Sequence, residues 1–120
     1  MQNREENLSE RLLEYAANSV RLAANLNRNV AGRHIRNQLM RSATSSGANY
    51  QEACAAESRA DFVHKMQIVL KELRESRYWL NLLAKLGAVK DLPIANLIKE
   101  SDELIKIFAK SVITAKARVR

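Results

Sequence analysis

Few residues of the 120-residue chain have the types and spacing that catalysis or metal binding requires. Asp61 and His64 form one Asp-x-x-His pair, whereas a di-metal helical bundle uses two Glu-x-x-His motifs and two further carboxylates. The other histidine, His34, has Ala31 three positions before it, and Cys54 has no partner base in a nucleophile signature. We therefore predict no catalytic residue, no metal site and no cofactor, and keep a metal-dependent enzyme as an alternative that metal analysis would test.

The basic residues indicate a different chemistry, the binding of phosphate groups. The formal net charge is +7, and two acid-free segments, residues 15–51 and 104–120, carry the whole excess. Clustered Lys and Arg attract a phosphate backbone, although a solvated basic surface has the same composition. The basic clusters at 28–36 and 116–120 contain no aromatic residue, so base stacking is not expected. The predicted nucleic-acid-binding residues are Arg28, Arg33, Arg36, Arg41, Lys116, Arg118 and Arg120.

Apolar residues recur in alternating steps of three and four along four segments, which predicts four helices. The first should end near Asn27. The third should begin after the cap Ser58 and stop at Gly87, and the fourth should begin near Asp91. Four helices with short connections are typical of an antiparallel bundle. We predict an all-α, up-down-up-down four-helix bundle that occupies residues 1–120 as a single domain.

In such a bundle the two basic clusters lie at opposite ends. Residues 28–36 follow the first helix, and residues 116–120 end the fourth. A helix of about 25 residues separates the two clusters by roughly 38 Å. One monomer therefore offers two modest patches, and an oligomer is needed to pool them into a larger surface.

The third segment has more apolar surface than one bundle seam requires. Trp79, Leu82 and Leu86 form a second row beside Leu80 and Leu83. Either this row widens the core stripe, or it forms an oligomer interface, since a small bundle rarely exposes a large apolar patch.

No feature of the sequence indicates a membrane or secretory destination. No apolar run approaches the roughly 20 residues of a membrane helix. The first residues, MQNREENLSER, are polar and acidic, unlike a signal peptide. A single cysteine forms no internal disulfide, which fits a reducing compartment. We expect no membrane partner and a cytoplasmic location.

The central stretch, residues 37–87, contains two short patterns, RSATS-x-GAN and KExxExxYWL. The residues that carry the patterns and their surroundings are Gln38, Leu39, Arg41, Ser42, Ala43, Thr44, Ser45, Gly47, Ala48, Asn49, Glu52, Ser58, Asp61, Phe62, Lys71, Glu72, Glu75, Tyr78, Trp79 and Leu80. With them, residues 8–116 resemble the bacterial four-helix-bundle proteins encoded in intervening sequences of large-subunit ribosomal RNA genes.

The resemblance implies an antiparallel four-helix bundle assembled as a homopentameric ring, with no catalytic residues. A related branch, the accessory proteins of diversity-generating retroelements, forms basic pentamers that associate with a reverse transcriptase and nucleic acid. Among the shared polar residues, we expect inter-helix ion pairs that fix the register of the second and third helices. These polar residues are Arg41, Asn49, Glu52, Glu72 and Glu75.

Charge and resemblance together predict a non-catalytic oligomeric bundle that binds structured nucleic acid through pooled basic surface. RNA is the expected ligand, with DNA as the other candidate. The alternative function is a protein-interaction scaffold or adaptor, for example for a reverse transcriptase.

Overall fold

The computed structural model describes residues 4–118, which form four α-helices and no strand in that range. The helices are α1 (Arg4–Ala24), α2 (Val30–Cys54), α3 (Arg59–Leu86) and α4 (Asp91–Ala117). The predicted all-α fold of four helices is therefore confirmed. Within the described part of the chain, no helix combines the length and the apolar character needed to cross a membrane.

Two side-chain caps fix the starts of α2 and α3, and one glycine fixes the end of α3. The Asn29 Oδ1 atom accepts a hydrogen bond from the Gly32 N–H at 2.7 Å, which caps the start of α2. The Ser58 Oγ atom accepts one from the Asp61 N–H at 3.1 Å and caps α3 as predicted. Gly87 then ends α3 in the left-handed conformation, with φ at 65°, which is also as predicted.

The connection between α1 and α2 begins earlier than the sequence indicated and folds back closely on itself. α1 ends at Ala24, earlier than the predicted Asn27, because the Asn25 N–H already bonds to the Leu22 carbonyl in a four-residue turn. The chain then folds back closely on Gly32. A Cβ atom at this position would lie 1.8 Å from the Asn27 carbonyl oxygen, so only glycine allows this close approach.

Ion pairs between α2 and α3 show that these helices run in opposite directions. Glu52, near the end of α2, pairs with Lys65, near the start of α3, at 3.0 Å. Arg41, earlier in α2, pairs with Glu72, later in α3, at 2.9 Å. Because the order of partners is reversed along the two helices, this pair is antiparallel.

Each helix contributes apolar side chains to one shared core. Every helix contributes at least one fully buried leucine, for example Leu12, Leu39, Leu73 and Leu104 in chain order. The Tyr15 hydroxyl lies 2.7 Å from the Ser76 Oγ atom, and this buried hydrogen bond ties α1 to α3 across the bundle. The core therefore contains a fixed polar contact as well as apolar packing.

The helices do not pack equally well around the core. α2 packs closely on α1 and α3, and α3 packs closely on α4, whereas α1 and α4 meet only lightly. The facing surfaces of α1 and α4 include the amides Asn18, Asn25 and Asn96. Such side chains gain little from burial, so the two helices leave an open channel between them, which we call the α1–α4 groove.

Candidate nucleic-acid interface

The α1–α2 and α3–α4 connections lie side by side at one end of the bundle. Asn29 from the first connection and Ala88 from the second line the same small cavity. The stretches 21–36 and 82–96, which form this end, contain six basic residues and one acid, Asp91. We call it the basic end, and its cations are Arg21, Arg28, Arg33, Arg36, Lys85 and Lys90.

The three arginines predicted to bind nucleic acid at this end have no carboxylate partner among the described residues. Arg28 and Arg33 are exposed, and Arg36 is half-buried. None of the three forms an ion pair with another residue of the described range. Guanidinium groups without a carboxylate partner are suited to contact phosphate oxygens.

Sequence reasoning missed Lys85 and Lys90, which add two exposed cations to the basic end. A signal for them was present, because the two lysines flank the predicted helix stop Gly87. In a four-helix bundle with short connections, the first and third connections lie at the same end. Lys85 and Lys90, close to Gly87, could therefore be expected to lie near the arginines of the first connection.

The opposite end of the bundle, which we call the mixed end, carries both signs of charge. α4 begins at the basic end and runs 27 residues away from it, which places the exposed Lys116 and Arg118 here. Arg120 lies outside the described residues. Glu5 of α1 lies close enough to Cys54, at the end of α2, to affect its thiol. The charged residues of this end include Glu5, Glu6, Glu57, Arg59, Asp61, Lys110, Lys116 and Arg118.

Arg41 lies apart from the other predicted arginines, on the surface between α2 and α3. Its guanidinium pairs with Glu75 and, at 2.9 Å, with Glu72. Glu75 also accepts a hydrogen bond from the Trp79 Nε1–H at 3.2 Å. The Glu72 side chain is only 5% exposed, so its charge requires a partner. We call these four residues the α2–α3 network, and they confirm that shared polar residues form inter-helix ion pairs.

The two remaining shared polar residues behave differently from each other. Glu52 joins α2 to α3 through its ion pair with Lys65, as expected. Asn49 makes no such link, because its Nδ2 group donates to the carbonyl of Ser45, one turn earlier in the same helix, at 2.9 Å. Inter-helix ion pairs were expected of some of the five residues; the charged ones form them, whereas Asn49 bonds within its own helix.

The predicted oligomer row, Trp79, Leu82 and Leu86, differs in exposure from one residue to the next. The Trp79 ring meets His34 of α2 edge-on, with centroids 5.6 Å apart, and is half-buried. Leu82 is half-buried against the core, whereas Leu86 is 61% exposed. The row is therefore partly core, and its place in an oligomer interface stays a prediction.

The residues first considered for chemistry include Asp61, His64 and Cys54. Asp61 and His64 are exposed near the start of α3. The described residues contain no group of three or more His, Cys, Asp or Glu side chains placed to hold a metal ion. Burial raises the pKa of the Cys54 thiol, which favours the protonated and less reactive form.

The chain is similar to proteins of one family over almost its whole length. The sequence model of the 23S rRNA-intervening sequence protein family matches residues 6–110. A solved structure from Bacteroides thetaiotaomicron, a protein with unknown function from the S23 ribosomal protein family, is 32% identical with a TM-score of 0.81. The similarity covers 92% of this chain and 98% of that chain. Among curated proteins, none matches significantly.

Proposed function

The chain belongs to the 23S rRNA-intervening sequence protein family, and from this premise we propose that it is a non-catalytic, oligomeric bundle whose basic end binds structured RNA. One observation carries the proposal. Two connections that are distant in sequence bring six cations together with a single acid, Asp91. A cytoplasmic location is part of the same proposal.

The backbone of the basic end supports the same ligand. α2 and α4 both begin there, and the first N–H groups of a helix, with the positive end of its dipole, favour anions. The Lys90 side chain makes no capping hydrogen bond at the start of α4. Phosphate groups are therefore the ligand chemistry that both the side chains and the helix termini favour.

Assembly would multiply this surface. The family resemblance leads us to propose a homopentamer, in which five copies of a +7 chain carry about +35 in total. Such a field attracts an RNA backbone without reading its bases. Leu86, exposed at the basic end, is the member of the predicted interface row with the most apolar surface to bury between subunits.

Binding of the purified oligomer to a fluorescent RNA hairpin across a salt series tests the proposal. Backbone contacts release counterions, so the logarithm of the affinity should fall linearly with the logarithm of the salt concentration between about 50 and 200 mM. We expect measurable affinity at the lowest salt and a steep slope. The proposal would be contradicted if the hairpin does not bind at low salt, or if its affinity does not change with salt concentration.

A second candidate function, a protein adaptor, is favoured by a different observation. Val30, Leu86 and Leu92 are 79%, 61% and 71% exposed, and all three lie at the basic end. Apolar side chains surrounded by cations suit a protein partner with an apolar, acidic surface, for example a reverse transcriptase. An adaptor would keep its partner after Arg28, Arg33 and Arg36 are neutralised, whereas RNA binding would be lost.

A further inference from the structure

The α1–α4 groove opens directly beside the basic end. Its volume is about 1230 Å³, above the roughly 300–1,000 Å³ of typical small-molecule pockets. The apolar side chains of Leu22 and Leu97, with Tyr15, line it between the two helices. The groove therefore has room for a flat apolar ring system together with part of a chain that carries it.

Charge along the groove changes sign from one end to the other. Arg21 and Lys90 line the part next to the basic end, and Glu14 and Glu100 line the far part. Arg21 and Glu14 are seven residues apart on α1, about 10 Å along the helix axis. Glu100 is held in place by Arg11, which donates to both carboxylate oxygens at 2.6 and 3.1 Å. A ligand that fits this polarity is anionic at one end and offers hydrogen-bond donors at the other.

Three amides lie between the charged ends and have unused hydrogen-bonding groups. Asn18 accepts from the Arg21 guanidinium at 2.8 Å, which leaves the Asn18 amino group free to donate. Asn25 donates to the Arg21 carbonyl at 3.0 Å, which leaves the Asn25 oxygen free to accept. The Asn96 side chain makes no hydrogen bond with another described residue. Amide side chains pair with the edges of nucleobases, because both present a donor beside an acceptor.

We propose that an unpaired nucleotide of the bound RNA enters the α1–α4 groove. Its phosphate lies against Arg21 and Lys90, and its base lies on Leu22 and Leu97 within reach of the three amides. This assignment rests on the proposed function, in which the basic end binds the RNA backbone. The groove adds a preference for looped RNA, because a base inside a duplex must first be unpaired and unstacked to enter it.

Two RNAs with the same number of phosphates test the assignment: a hairpin with an unpaired loop, and a blunt duplex. We expect the wild-type protein to bind the hairpin about tenfold more tightly, which is the scale of two hydrogen bonds to a base. The double variant Asn25→Ala and Asn96→Ala should bind both RNAs with the affinity of the wild type for the duplex. The matched control, Asn37→Ala and Asn81→Ala, removes exposed amides outside the groove and should keep the tenfold preference.

A 2-aminopurine base in the hairpin loop gives a second measurement, because its fluorescence responds to its surroundings. The signal should change on binding to the wild type and the control, and stay unchanged with the groove variant. Equal wild-type affinity for the two RNAs, or a preference that survives in the groove variant, would overturn the groove assignment alone. If neither RNA binds, both the groove assignment and the proposed function fail.

Discussion

Two sets of arginines, one in the α2–α3 network and one at the basic end, have opposite surroundings. Arg41 is matched by two carboxylates, one of them almost fully buried. Arg28 and Arg33 are exposed and have no carboxylate partner among the described residues. The first arrangement fixes two helices in register, and the second leaves charge for a ligand. Arg41, Glu72 and Glu75 therefore hold α2 against α3, and the proposed binding surface lies outside them.

The largest expected effect on stability comes from breaking the α2–α3 network. Arg41→Met removes the pairs with Glu72 and Glu75 and leaves the buried Glu72 only a longer contact with Lys71, at 3.8 Å, which should cost about 3 kcal/mol of unfolding free energy. Denaturant unfolding measures this loss. The control is Arg74→Met, an exposed arginine of α3 outside the ion pairs of the described chain, which should change the free energy by less than about 0.5 kcal/mol. Equal effects of the two substitutions would remove the distinction between structural and free arginines.

Stability at high pH tests the core separately from both sets of arginines, because guanidinium groups stay charged at high pH. Burial raises the pKa of Tyr15 to about 12, and the hydrogen bond with Ser76 works in the opposite direction. The folded state thus holds the Tyr15 proton more tightly than the unfolded chain, whose tyrosine pKa is about 10. The contribution of the Tyr15 proton to the unfolding free energy is therefore fully present below pH 10 and is lost as the pH rises toward 12.

The unfolding free energy should therefore fall by about 2 kcal/mol more in the wild type than in Tyr15→Phe between pH 9 and pH 12. Denaturant titrations of both proteins at several pH values measure the difference. The same decline in the two proteins would show that another group is responsible.

A smaller expected effect distinguishes the stability of the basic end from its affinity for RNA. Asn29→Ala removes the cap of α2 and should cost about 1 kcal/mol, while the cations of that end remain. Ser58→Ala removes the corresponding cap of α3 at the mixed end and should cost about the same. Thermal unfolding compares the two variants, and RNA affinity should stay within about twofold of the wild type in both. A tenfold loss of affinity in Asn29→Ala alone would mean that the Asn29 side chain itself contacts RNA, beyond its role as a cap.

Much of the fold could be predicted because its signals are local. The cap at Ser58 and the stop at Gly87 depend on neighbouring residues, and the apolar repeat depends on the period of a single helix. The predicted end of α1 was less accurate. A turn at Asn25 ends the helix there, although no strong stop residue marks that position in the sequence. Asn49 makes no link to α3, because the Ser45 carbonyl, one turn earlier in the same helix, offers its Nδ2 group a nearer partner.

The candidate site was harder to predict because it depends on which connections meet in space. The arginine cluster 28–36 is visible as a charge run, but Lys85 and Lys90 join it only after folding. The mixed end shows the opposite case. In the sequence, Lys116 and Arg118 form a basic segment without acids. In the fold, α1 and the α2–α3 connection bring acidic residues to the same end. The α1–α4 groove leaves no periodic signal, because it arises from an uneven fit between two helices.

Matched neutralisation of the two ends tests the central claim most directly. One variant carries Arg28→Gln, Arg33→Gln and Arg36→Gln, and the other carries Lys110→Gln, Lys116→Gln and Arg118→Gln. Affinities for one RNA hairpin are measured by fluorescence anisotropy across the same salt series. We predict that the basic-end variant loses at least about tenfold in affinity, with a shallower salt slope, and that the mixed-end variant stays within about threefold. Equal losses, or a larger loss in the mixed-end variant, would contradict the assignment of RNA binding to the basic end.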